Sequence, residues 1–216
     1  MGTFVQAPAV LDTSGTSAAF ASITVGAGNV MVVGVRLGGN VTVTISDDKG
    51  NDWSGQADGQ QNINGNSNYV YYAKNCASGA TIVTVTPSSN VSIRGSCFEI
   101  SGEDTSTPLD QHTHASGTGI APASGNVTST AAGMWIGFGV SDNSNTFGAG
   151  TCGSATGTMP SPGGASTKTG MEYHNEASTV TNGSANETIA SDLWWMAVVN
   201  FKDAAGGDTL MGQAAL

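Results

Sequence analysis

The sequence predicts an all-β fold, an antiparallel β-sandwich of jelly-roll-like type, and three observations carry that prediction. Apolar residues come in short bounded runs such as VMVVGVRL and MWIGFGV. Gly, Asn and Asp separate these runs at roughly 8–15-residue intervals, the spacing of sandwich strands and their turns. No segment holds a 3.6-residue apolar period with caps, so no long helix is expected. The chain has 31 glycines in 216 residues and only 10% charged residues, against roughly 25% in ordinary soluble domains. Disorder is not the reading, because disordered chains join low hydrophobicity to high charge and this one is 38% hydrophobic.

In order, residues 4–11 read as an opening strand that Pro8 confines to an edge or a bend. Residues 20–25 follow, and then 30–37 (VMVVGVRL). That last run is apolar at both parities, as a strand buried on both faces must be. Residues 41–46 (VTVTIS) alternate, as a half-buried strand does. Residues 47–53 (DDKGNDW) form a hairpin turn whose Gly supplies positive φ and whose Asp and Asn bond their own backbone. Residues 56–68 are polar and read as a loop. Strands are expected at 69–72, 81–86 and 91–100.

Residues 103–125 read as a linker, and 126–130 as a short strand before the strong run 134–140. Residues 141–170 read as a long Gly/Ser/Pro loop with room for one short strand. Residues 169–174, 177–181, 187–190 and 193–201 complete the set.

The stretches SIRGSCFEISG (92–102) and WWMAVVNFKDA (194–204) read as buried strands that each close half of the chain. Corresponding residues recur at similar offsets, Gly34 with Gly139, Tyr72 with Tyr173 and Phe98 with Phe201. A fixed offset is the mark of a repeated unit. The chain is therefore one sandwich domain over 1–204, or two similar halves, 1–102 and 126–204, packed face to face across the linker; 205–216 is an extended tail.

The net charge of −10, with six Lys and Arg among sixteen acidic residues, excludes a nucleic-acid partner, which needs a basic face. No apolar run approaches the ~18 residues of a membrane span, and an acidic surface disfavours anionic lipid, so no membrane is expected. No charged-then-apolar leader opens the chain, so synthesis in the cytoplasm is expected. Cys76, Cys97 and Cys152 make no even framework and no CxxC, so free structural thiols are expected. No cofactor is indicated.

Asp110, His112 and His114 are the metal candidates, since in an extended chain they share one face and imidazoles two apart can share an ion. Three ligands fall short of the usual four, and an ordinary polar linker is the competing reading. Asp47, Asp48 and Asp52 offer carboxylates for Ca²⁺, against a plain hairpin turn. Glu99, Glu103 and Asp104 are acidic neighbours without a cleft to serve. Trp53, Tyr69, Tyr71 and Tyr72 are either core or a sugar-stacking platform. Trp194 and Trp195 are adjacent on a strand, so they face opposite ways; Trp195, with Leu210 and Met211 of the tail, is the candidate partner-binding surface.

VMVVGVRL, VTVTISDDKGNDW, YVYYAKNCASGATIVTVTPS, FEISG and STPLDQ leading to SGNVTSTAAGMWIGFGV together resemble β-sandwich domains of phage virion proteins, tail-associated or head-decorating, and of large secreted bacterial proteins. The resemblance spans about 22–204 and implies a sandwich used for binding or structure, with no active site to carry over. The function it implies is that of a non-enzymatic virion structural protein of a tailed bacteriophage. Its partners would be further copies of itself, as a trimer or a larger ring, other virion proteins, and a surface glycan. The alternative is a carbohydrate-binding or adhesion module of a secreted bacterial protein.

Overall fold

The computed structural model describes residues 1–63, 65–161 and 163–205, which form eighteen strands with no helix among them. The first eleven are β1 (Thr3–Gln6), β2 (Leu11–Gly15), β3 (Ala18–Ala19), β4 (Ile23–Val25), β5 (Val30–Gly38), β6 (Val43–Asp47), β7 (Gly55–Ile63), β8 (Asn66–Ala73), β9 (Gly79–Thr81), β10 (Val83–Pro87) and β11 (Val91–Ser101). The remainder are β12 (Leu109–Gly119), β13 (Gly133–Ser141), β14 (Gly148–Gly153), β15 (Ala155–Thr156), β16 (Thr169–Glu176), β17 (Ser184–Thr188) and β18 (Asp192–Lys202). All pairings are antiparallel.

The strands stack as four layers. Two central sheets, β1-β11-β5-β8-β7 (with β2 also on β11) and β12-β18-β13-β16, lie face to face. Outside the first lie the small sheets β3-β10-β6 and β4-β9, and outside the second lies β15-β14-β17. Three apolar layers separate them. Met31, Val33, Val35, Leu37, Ile93 and Cys97 pack outward against Phe20, Val25, Ile45, Val83 and Val85. Val30, Val32, Val70, Phe98 and Ile100 pack inward against Met134, Ile136, Phe138, Val140, Val199 and Phe201. Trp135, Met196 and Val198 cover Cys152 and Ala185 of the far layer. The long apolar runs of β5, interrupted only by the buried Arg36, and of β13 follow directly, because both are buried on both faces.

The two central sheets have the same internal order, β11-β5-β8 and β18-β13-β16, and each outer layer contains an equivalent pair, β10 with β6 and β17 with β14. Cross-strand rows match in register. Tyr72, Val32 and Phe98 form one row, and Tyr173, Ile136 and Val199 form its counterpart. Of the recurring residues in the sequence, Tyr72 and Tyr173 hold matching places, whereas Phe98 is matched by Val199 and not by Phe201, although all four border the central layer. Gly34 also faces that layer, where Phe138 covers it, whereas Gly139 faces outward beneath Glu187, so those two glycines are not equivalent positions.

Several elements differ from the sequence expectation, each for a physical reason. The polar stretch expected as a loop at 56–68 forms β7 and the start of β8. The expected linker contains the eleven-residue β12. Both β7 and β12 are edge strands with polar sequences, so apolar alternation does not mark them. Pro8 splits the opening strand into β1 and β2. The stretches 126–130 and 177–181 form no strand and contribute only the isolated bridge of Val127 to Gly183. Residues 148–153 and 155–156 give two short strands inside the expected long loop.

Candidate functional site

The edge strands β7 and β12 belong to different central sheets and meet along one seam, and Asp58 lies at that meeting. Its side chain is only 3% exposed. Its two oxygens are bonded separately, Oδ2 to His112 Nδ1 at 3.2 Å and Oδ1 to His114 Nδ1 at 2.6 Å. A carboxylate oxygen accepts, so each ring donates from Nδ1. The backbone N–H of Gly59 donates a third bond to Oδ1 at 2.7 Å. His114 in turn lies 5.5 Å from the Trp195 ring, centroid to centroid.

The third metal candidate is elsewhere. The pairing of β12 with β18 slips one residue between Leu109 and Gln111, so Asp110 is the extra residue of a bulge and leaves the face of the histidines. It accepts instead from the backbone N–H and the hydroxyl of Thr130, at 2.7 and 2.6 Å. Among the described residues no three His, Cys, Asp or Glu side chains form a metal-holding group. Asp58, which does join the histidines, lies 54 and 56 residues from them in the chain. No sequence pattern links those positions.

A shallow cleft with internal room of about 10 Å³, roughly one water, lies where the ends of β8, β13 and β18 meet. Asn66, Asn68, Val140, Asp142, Leu193 and Trp195 line it. Asn66 Nδ2 donates to Asp142 Oδ1 at 3.1 Å, and Arg36 stands 3.7 Å from the same oxygen. The Arg36 side chain is 5% exposed, and desolvation by that burial lowers its pKa against the opposing pull of Asp142. Leu193 is one of the few large apolar side chains left exposed. Trp195 corrects an expectation. It is 1% exposed and packs into the central layer, so it is no outward anchor. Leu210 and Met211 lie outside the described residues.

The remaining acidic candidates do not converge. Asp47 accepts from Lys49 N, Asn51 N, Asn51 Nδ2 and Trp53 Nε1 at 2.8–3.1 Å, which makes it the organiser of its turn. Burial pushes its pKa up, but the bonds from Trp53, Asn51 and Lys49 outweigh that and hold it below the usual carboxylate range. Asp48 binds Ile82 N and Asp52 binds Ser54 N. Glu99, fully buried, accepts from Gln6 Nε2, Gly26 N and Asn29 Nδ2 at 2.5–2.7 Å. Burial pushes Glu103 up to about 7, and Asp104 caps the turn at Ser106 and Thr107. The aromatic platform does not assemble. Trp53 and Tyr69 are core, the latter donating its hydroxyl to Val41 O at 2.8 Å.

Sequence reasoning passed over one further pair. Glu172 of β16 and Glu187 of β17 are buried between the second central sheet and its outer layer, at 0% and 1% exposure. Glu172 Oε2 accepts from Gly150 N at 2.9 Å, while Glu172 Oε1 and both oxygens of Glu187 have no partner among the described residues. Burial raises both pKa values, that of Glu172 to about 8, and the Glu172 charge adds to the rise at Glu187. The three cysteines are free and buried.

No protein-family model matches this sequence, and no curated protein or solved structure is significantly similar to it. Fold and site together define an all-β, sandwich-like protein with a polar cleft and a His–Asp–His clasp on the seam between its two central sheets.

Proposed function

We propose that this chain is a non-enzymatic structural protein of a tailed bacterial virus, on the capsid surface or the tail, that works by binding a lattice partner or the host surface. The observation that carries the reading is the central apolar layer, in which Phe98, Ile100, Ile136, Phe138, Val199 and Phe201 are essentially excluded from water. Fully burying each such side chain is worth ~1.5–3 kcal/mol. A body joined in this way presents fixed surfaces to a partner, which suits a lattice component. The resemblance of the strand and turn sequences to virion sandwich domains supports the same role. Many copies on a lattice let modest contacts act together through effective concentration, and the chain is taken to assemble with itself.

The test is electron microscopy of the purified protein and of bacteriophage particles that encode it, with native mass spectrometry for copy number. Regular rings, or density of this shape on the capsid or tail, is the expected result. Particles that lack the chain, together with a monomer at all concentrations, would remove the reading.

A further inference from the structure

Two acids are shut between the second central sheet and the small sheet outside it. Glu172 belongs to the first of these and Glu187 to the second. The backbone closes around both. A Cβ on Gly139 or Gly170 would collide with the Glu187 carboxyl, and one on Gly157 with that of Glu172. Glu172 receives one bond, from Gly150 N at 2.9 Å, and Glu187 receives none from the described residues. No ion pair among the described residues includes either acid. A carboxyl so placed is tolerable as a neutral acid, but its charge would lack both water and a counter-ion.

The packed elements offer that charge no help. β13 and β18 present Gly137, Gly139, Met196 and Val198, none of them titratable. β14 contributes the fully buried Cys152 thiol. On β16, His174 and Glu176 share the face of Glu172; they stand 3.9 Å apart, and Glu176 is held by Ser154 N and Oγ. The covering sheet consists of short strands, and its apolar grip is Cys152, Val180 and Ala185 on Trp135, Met196 and Val198. Because the two acids sit on opposite sides of that grip, parting it brings both to water. We propose that β15-β14-β17 is a proton-held layer: it stays closed while Glu172 and Glu187 keep their protons, and their ionisation releases it and uncovers Trp135, Met196 and Cys152. Burial raises the Glu172 pKa from 4.5 to about 8 and raises that of Glu187 as well. The closed layer therefore holds protons that the open layer gives up, and between pH 4.5 and about 8 each unit favours opening by up to about tenfold per acid. The inference goes beyond the virion role and stands or falls separately from it.

Alkylation of the whole chain with N-ethylmaleimide, mapped by peptide mass spectrometry, tests the inference. Cys152 lies under the proposed layer, and Cys97 lies beyond the other central sheet as the reference. Each rate is divided by that of the same cysteine in the guanidinium-unfolded chain at the same pH, which removes the pH dependence of thiolate formation. From pH 6 to pH 8 the normalised rate at Cys152 is expected to rise at least about tenfold. At pH 8 Cys152 should also react at least about tenfold faster than Cys97, because one layer opens while the rest stays folded. In the Glu172→Gln, Glu187→Gln double variant, which cannot ionise, the rise should disappear. A normalised rate at Cys152 that does not change with pH in the parent overturns the proposal without any variant. So do equal rates at Cys152 and Cys97, which mean global unfolding, and a rise of full size in the double variant, which removes the acids as its cause. None of these results depends on whether micrographs place the chain on a particle.

Discussion

Phe138 lays its ring over the Cα of Gly34, and the two residues hold corresponding places in the two central sheets. Each is the middle of a three-strand row, Val70–Gly34–Ser96 in one sheet and Met171–Phe138–Ala197 in the other. The smallest side chain at one position admits the large one at the other. A Cβ on Gly34 would fall among the ring atoms of Phe138.

Gly34→Ala is therefore expected to destabilise the fold by ~1–3 kcal/mol through overpacking. Phe138→Leu in the same chain should recover part of that loss, because the shorter side chain vacates the space. Urea unfolding of the two single variants and the double variant measures the coupling. Additive losses would show that the contact does not join the layers.

Asp58→Ala leaves two imidazoles without their acceptor and exposes the seam between β7 and β12, for an expected loss of ~1–3 kcal/mol. His114→Ala should cost more than His112→Ala, since His114 has the shorter bond, 2.6 against 3.2 Å, and the less exposed side chain, 34% against 50%. Hydrogen exchange at the amides of β7 should rise in all three variants. Equal protection in Asp58→Ala and the parent would refute the clasp.

Stability should fall as pH rises from about 4.5 to about 8, as Glu172 implies. Its native pKa, like that of Glu187, is raised by burial above the ordinary 4.5. Through this window the unfolded chain has released protons that the native state still holds, so each rise in pH favours unfolding, until Glu172 ionises in the fold as well. Glu187→Gln, which cannot ionise, should flatten the slope and raise Tm at pH 8. Below about 4 the depressed carboxyls, Asp47 and Asp192 among them, act in the opposite sense and stability falls again. A Tm profile that climbs from pH 5 to pH 8 would contradict the burial of the two acids.

Burial pushes the Cys76 thiol up to about 12 and raises Cys97 and Cys152 as well. Without thiolate there is no nucleophile. Ellman's reagent should find no reactive thiol in the native protein and three after unfolding in guanidinium. Rapid labelling of any one in the native state would show that its layer opens.

What could be read from the sequence follows burial closely. β5, β11, β13 and β18 were plain because they are the inner strands of the two central sheets and are covered on both faces, which demands apolar residues at both parities. The turn at Asp47 was equally plain, because its chemistry is local, within six residues of Trp53. β7 and β12 were missed: an edge strand half in water carries no apolar alternation, and GQADGQQNI and LDQHTHASGTG read as loops.

The sequence by itself determined that this chain is all-β and where its inner strands run, because strand burial is written into side-chain type one residue at a time. Tertiary structure alone decided the stacking of the layers, the bulge that turns Asp110 away, the meeting of Asp58 with His112 and His114, and the cleft between Asn68 and Trp195. Those depend on which edge faces which and on a one-residue slip in register, and in a β-fold such pairings join residues far apart in the chain with no periodic trace along it.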